Sequence, residues 1–218
     1  MALFVERDVA PGVTVLRLDR PPVNALDLPL TQELQALATT LAGNPAEHGA
    51  LVLTGRVGMF SAGLDLKAID EGDDAHREAL MEAVNELALR WYRFPRPVVT
   101  AVAGHAIAGG LLLALCGDVR IGPFDPGARF GLPAVKVGIR YPEGPLTVLR
   151  SELGSVGARR LMLAGQTVGA TTLHGWGLLD ELVPPGEVLA RAIEVAAGLA
   201  ALPPEGYAAT KAGLRGDP

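Results

Sequence analysis

The 218-residue sequence predicts an α/β protein folded as one domain. Three observations carry that prediction. Short apolar, strand-like runs alternate with longer segments of helical periodicity from one end to the other, the pattern of strands joined by helices. Apolar residues make up 49% of the chain, enough for a sizeable core. No low-complexity linker divides it and no exact internal repeat is visible, so residues 1–218 read as one unit. Its core extends to about residue 185, with C-terminal helices over about 186–218.

Each element follows from local pattern. Residues 3–7 and 13–18 ("VTVLRL") alternate apolar and polar around Pro11-Gly12 and predict a hairpin. "RPPVNALD" (20–27) is a loop. Asp27-Leu28-Pro29 opens a helix that carries Leu30, Leu34, Leu37 and Leu41 on one stripe. "ALVLTG" (50–55) is a buried strand, followed by the loop "GRVGMFSAGLDLK" and an acidic stretch around Glu71–Asp74. A helix over about 76–94 places Leu80, Val84, Leu87 and Trp91 at helical spacing. "PRPVVTAVAG" (95–104) is a proline-bounded strand that leads into the pair Gly109-Gly110. Short strands are predicted at 118–122, 128–133 and within 177–185, helix over much of 145–165 and about 186–201, and a last helical segment at "EGYAATKAGLR".

Bulk properties narrow the function. Net charge is −5 with no long basic cluster, which argues against a nucleic-acid partner but leaves room for an anionic small ligand. Cys116 is the only cysteine, so disulfide frameworks and cysteine-based zinc sites are excluded and a reducing compartment suits the chain. Glu6, Arg7 and Asp8 interrupt the first apolar run, and no segment approaches the ~18 apolar residues that span a bilayer. A cytoplasmic protein with no membrane association is expected. The four histidines, His48, His76, His105 and His174, have no metal-ligand spacing. Phosphate-loop, dinucleotide and nucleophile-elbow patterns are absent.

Two segments share one physical grammar: a buried strand, a small-residue loop, then a helix or turn. In "FSAGLDLK", Ser61, Ala62 and Gly63 are small enough for a ligand to lie against the backbone. In "HAIAGGLLLAL", Gly109 and Gly110 stand at a helix start, where amide N–H groups lack intrahelical acceptors and favour negative charge. If an amide from each loop met at one carbonyl oxygen, the pair would form an oxyanion hole. Either loop alone is equally an ordinary glycine turn with a close helix contact.

Taken in order, "RPPVNALD", "FSAGLDLK", "AVAGHAIAGG…ALCGDVRIG", "ARFGLPAVKVGI" and "GARRLMLAGQTVGATTLHGWGLLDELVP" resemble the crotonase superfamily, the enoyl-CoA hydratase/isomerase family. The resemblance runs from about residue 3 to residue 215. It implies a crotonase-like fold of repeated ββα units, an assembly as a trimer or dimer of trimers, and an acyl-CoA thioester as ligand. Coenzyme A enters as part of the substrate, and no other cofactor is implied. The oxyanion-hole donors carried over are the amides of Leu64 and Gly109, with Gly110 beside them. Ala25 and Leu26, next to Asn24, would line the CoA path, while Ala62, Asp65, Leu66 and Lys67 would border the adenine and pantetheine. Lys211 and Arg215 are the C-terminal candidates for the CoA phosphates. Relatives commonly run on for another ~40–50 residues of helix, so a more open acyl pocket, or one covered by a neighbouring subunit, is expected.

The departures bear on chemistry. Hydratases of the family carry a glutamate three residues after the donor glycine, and here that position is Leu112. Their second glutamate, shared with many isomerases, follows the "FGxP" stretch, and here it is Ala134. Leucine and alanine transfer no protons, so hydration by the usual route is not expected. The remaining candidates lie in "GIRYPEGP". Tyr141 falls where a decarboxylating branch of the family has a tyrosine, and it either orients a leaving carboxylate or packs on the next helix. Glu143 lies in the loop where dehalogenating relatives place an aspartate, and it is either a base raised by burial or a first-turn helix acid. Arg140 either neutralises Glu143 or binds a substrate carboxylate. His105 and Asp118 have backbone roles as their simplest reading. Isomerisation, decarboxylation and non-catalytic acyl-CoA binding all stay open.

Overall fold

The computed structural model describes residues 2–43 and 49–217. His48 lies outside the described residues. The chain opens with the expected hairpin, β1 (Leu3–Ala10) and β2 (Val13–Leu18), turned at Gly12 with φ +69°. β3 (Ala25–Leu26) and α1 (Leu28–Gly43) follow. Three strand–strand–helix units come next. β4 (Ala50–Thr54) and β5 (Gly58–Ser61) lead through β6 (Gly63–Leu64) and α2 (Leu66–Glu71) into α3 (Asp74–Tyr92). β7 (Val98–Ala101) and β8 (Gly104–Ile107) lead into α4 (Gly109–Leu115). β9 (Val119–Pro123) and β10 (Phe130–Gly131) lead through a 3-10 turn, Pro133–Val137, into α5 (Glu143–Glu152). α6 (Gly154–Gly157) runs into a π-helical turn, Ala158–Leu163. β11 (Thr167–Val168), α7 (Ala170–Gly175), β12 (Glu181–Val183), α8 (Val188–Ala200) and α9 (Pro204–Arg215) complete the chain.

Each unit sends its first strand to one sheet and its second to another. The larger sheet has the order β1-β2-β4-β7-β9-β12, parallel except for the opening hairpin, and the smaller has the order β11-β10-β8-β5. A third, two-stranded sheet pairs β3 with β6 in parallel. The larger sheet is covered on both faces, as parallel sheets are. In β4, Leu51 and Leu53 enter the main core with α1, α3 and α4, while Ala50 and Val52 face α8. On α8, Val188, Ala192 and Ala196 form a small-residue stripe that lets the helix lie close against Val13, Val99 and Ile121.

Two expected boundaries shift. The strand read over 95–104 is split: β7 ends at Ala101, and Gly104 opens β8 in the other sheet. The crossing is tight, because a β-carbon on Gly104 would sit 2.0 Å from the carbonyl carbon of Gly58. The segment leading into the acidic stretch before α3 forms α2, capped by the Asp65 carboxylate, which accepts from the Ala68 amide at 3.2 Å. Among the described residues, no helix is long and apolar enough to cross a membrane.

Candidate active site

The two glycine loops meet. Gly63, held at φ +83°, turns its bare α-carbon toward α4: a β-carbon there would lie 2.6 Å from the amide nitrogen of Gly109. A β-carbon on Gly109 would in turn lie 3.6 Å from the amide nitrogen of Leu64. Ala108, just before α4, has φ +50° and ψ −118°, a conformation costly for a residue with a β-carbon. The Gly109 N–H has no backbone acceptor among the described residues, since the first backbone bond of the helix runs from Leu112 N–H to the Ala108 carbonyl at 3.0 Å.

Buried polar groups hold this arrangement. The Asn24 side chain, fully buried, donates to the carbonyls of Leu18, Met59 and Phe60 and accepts from the Arg20 amide at 2.8 Å. The Ser61 hydroxyl donates to the Asn24 carbonyl at 2.7 Å and accepts from the Gly63 amide at 3.1 Å. Asn24 and Ser61 thus clamp the 20–26 loop to the turn that carries Leu64. Their residue types and loop positions were legible in the sequence, but this clamping role was not.

Leu64 and Gly109 both line a cavity of about 140 Å³. A cavity of this size takes a group on the order of a benzene ring. Ala62 and Leu66 stand on its rim beside Leu64, and Met81 and Val84 of α3 contribute apolar wall. Leu112 and Ala134 both line it as well. The two positions where carboxylates would be sought therefore face the cavity, with apolar side chains that are 5% and 6% exposed. Among the described residues no acidic side chain lines the cavity, and its polar side chains are those of Arg140 and Tyr141.

Tyr141 is brought in with its hydroxyl fixed, donating to the Leu132 carbonyl at 3.1 Å. Burial pushes its pKa up to about 12, against the smaller opposing pull of the Ala134 backbone amide. The phenol is therefore a proton donor at neutral pH and not a base. Gly138, at φ +68°, reverses the chain after the 3-10 turn so that residues 139–141 reach the cavity. Glu143 is not brought in. It is the first residue of α5 and 70% exposed, with its carboxylate paired to Arg150 at 2.5 Å. The first-turn acid reading describes it.

Other expected ligand contacts sort by geometry. Ala25 and Leu26 are buried behind the cavity wall, with the Leu26 side chain against Gly109. Gly110 is bare for packing, since a β-carbon there would sit 2.2 Å from the Ser61 carbonyl oxygen. Asp65 caps α2 and pairs with Arg20 at 2.9 Å. Burial works to raise its pKa, but the Ala68 amide and Arg20 outweigh it and hold the carboxyl below its ordinary value. Lys67 is exposed and lies 3.7 Å from Glu71.

The reading of Lys211 and Arg215 as partners for CoA phosphates needs correcting. Lys211 binds Asp118 at 2.7 Å, Arg215 binds Asp118 at 2.8 Å and reaches Glu152 at 3.6 Å; Lys211 is buried and the other three side chains are mostly so. Both cations are engaged inside the protein. Asp118 also accepts from the Val98 amide at 2.8 Å, and His105 Nδ1 accepts from the Arg129 amide at 3.1 Å, as their backbone readings expected.

Paired strand–strand–helix units, with two glycine loops meeting over an apolar cavity, define a crotonase-type fold. The sequence profile of the Enoyl-CoA hydratase/isomerase family matches residues 8–217, and the chain belongs to that family. Among its relatives, the human protein "Enoyl-CoA delta isomerase 1, mitochondrial" is 33% identical over 213 residues, 98% of this chain and 70% of that protein. "Mevalonyl-coenzyme A hydratase SIDH" of Beauveria bassiana is 34% identical over 94% of this chain and 76% of its own length. The crystal structure of human mitochondrial delta3-delta2-enoyl-CoA isomerase superposes with a TM-score of 0.91 at 34% identity, covering 99% of this chain and 83% of that one. A probable enoyl-CoA hydratase, ECHA3, from Mycobacterium tuberculosis gives 0.89 at 31% identity, covering 99% and 89%.

Proposed function

We propose that this protein transforms acyl-CoA thioesters by stabilising a thioester enolate between the amides of Leu64 and Gly109, and that decarboxylation of a 2-carboxyacyl thioester is the reaction its cavity supports best. One observation carries the reading: the two amides adjoin in a cavity whose polar side chains are Tyr141 and Arg140, with no carboxylate among the described lining residues. Hydration needs a group to activate water, and moving a double bond needs one to lift a proton from carbon. Decarboxylation needs neither. The bond from the α-carbon to the carboxylate breaks, its electron pair passes to the α-carbon and thioester oxygen, and CO2 leaves. The α-carbon then takes one proton, from water or from the Tyr141 hydroxyl. Each donor in such a hole contributes about 2.7–4 kcal/mol to the transition state.

A second reading is favoured by Leu112 and Ala134 themselves: a protein that binds acyl-CoA and does not turn it over. The experiment compares binding and turnover of crotonyl-CoA, a 3-enoyl-CoA and malonyl-type thioesters by the wild type and by Tyr141→Phe. Loss of CO2 from the malonyl-type thioester, slowed in Tyr141→Phe, supports the enzyme. Tight binding of every thioester with no turnover supports the binder. Family likeness also motivates a homotrimer or dimer of trimers, which sedimentation equilibrium checks.

A further inference from the structure

The cavity lining leaves one charge without a counterpart. The Arg140 side chain is exposed at the cavity wall and makes no hydrogen bond or ion pair among the described residues. The acid that the sequence offered as its partner, Glu143, is taken by Arg150. Arg159 and Arg160 share this unpaired condition, but neither lines the cavity. Nearly everything else facing that space is aliphatic or proline, so among the described residues the guanidinium is the only full charge presented to a bound acyl group.

We infer that Arg140 is a selecting residue for a carboxylate carried on the acyl group, so that the substrates are dicarboxylic acyl thioesters. This rests on the reading of the cavity as an acyl-CoA site. A guanidinium meets a carboxylate through two parallel N–H bonds and stays charged at every working pH. The αL turn at Gly138 brings Arg140 to the wall of the same cavity that Leu64 and Gly109 line, so an acyl group whose thioester oxygen meets those two amides shares that cavity with the guanidinium. The aliphatic wall between gives a methylene chain apolar contact but offers an anion no other partner. Its loss raises KM for dicarboxylic thioesters; on malonyl-CoA, whose one carboxylate leaves as neutral CO2, the pair holds the ground state more tightly than the transition state, so kcat does not fall with it.

The test titrates the intact protein with succinyl- and glutaryl-CoA against butyryl- and pentanoyl-CoA, and with free CoA, for the wild type, Arg140→Gln and Arg140→Lys. Kinetics on malonyl-CoA accompany the titrations. In the wild type, at least one dicarboxylic thioester binds about tenfold tighter than its neutral counterpart, the scale of a charge-assisted pair. Arg140→Gln removes that preference and leaves butyryl-CoA and CoA unchanged, and Arg140→Lys restores part of it. Thermal unfolding checks that the variants are folded, as an exposed side chain without partners predicts. Equal affinity for charged and neutral acyl groups overturns the inference while the acyl-CoA reading stands. So does Arg140→Gln weakening CoA and every thioester alike, since the side chain would then serve the CoA moiety. No binding of CoA or any thioester overturns both readings.

Discussion

At the scale of single residues, the site depends on where side chains are missing. Gly63 has two reasons to be glycine, its φ of +83° and the 2.6 Å approach of the Gly109 amide to the place a β-carbon would take. Gly63→Ala therefore pushes the two loops apart, and turnover of any accepted thioester falls by about 10²-fold or more. Steady-state kinetics read the loss, and far-UV circular dichroism shows whether the fold survives. Leu112 and Ala134 are the converse case, apolar side chains standing where proton carriers would act. Leu112→Glu with Ala134→Glu puts two carboxylates into the cavity wall. The prediction is a lower melting temperature, because carboxylates are buried there without partners, together with a gain of crotonyl-CoA hydration relative to the wild type.

At the scale of elements, polar groups buried between them set the geometry. Asn24 joins β2, the 20–26 loop and β5 through side-chain hydrogen bonds, and Asn24→Ala is expected to cost roughly 2–4 kcal/mol in urea denaturation. Asp118, just before β9, ties α9 to the core through Lys211 and Arg215. Asp118→Ala leaves buried Lys211 and largely covered Arg215 without this carboxylate and is expected to cost about 3–5 kcal/mol in the same measurement. Much of this level was legible in the sequence. The hairpin, α1, α3, α8 and both glycine loops follow from apolar period, turn residues and helix starts. The missed features depend on contacts between distant residues. Lys211 and Asp118 are 93 positions apart, so nothing local reveals that the lysine is held inside the protein. The "PEG" after Tyr141 correctly opens a helix, and Glu143 is paired with Arg150 two turns further along the same face. The split between β7 and β8 reflects a sheet-to-sheet crossing that no single-strand pattern encodes.

At the scale of the whole molecule, all three tyrosines, Tyr92, Tyr141 and Tyr207, have pKa values raised above the ordinary phenol, chiefly by burial. The sign follows directly. Below the unfolded-state value of about 10, neither state ionises and this contribution to stability is intact. Above it, the unfolded chain gives up its phenolic protons first, so stability is lost as pH rises toward the folded values. Melting temperature is predicted to fall through this window, and Tyr141→Phe to make the fall shallower. The same raised value predicts that kcat/KM for any accepted thioester shows no Tyr141 ionisation through neutral pH.

The central claim is enolate chemistry without a carboxylate base. Its most direct measurement is the product formed from malonyl-CoA and from crotonyl-CoA in D2O, read by mass spectrometry. The account predicts acetyl-CoA bearing one solvent deuterium on the α-carbon, and crotonyl-CoA returned without added water. Conversion of crotonyl-CoA to 3-hydroxybutyryl-CoA, with malonyl-CoA left intact, contradicts it.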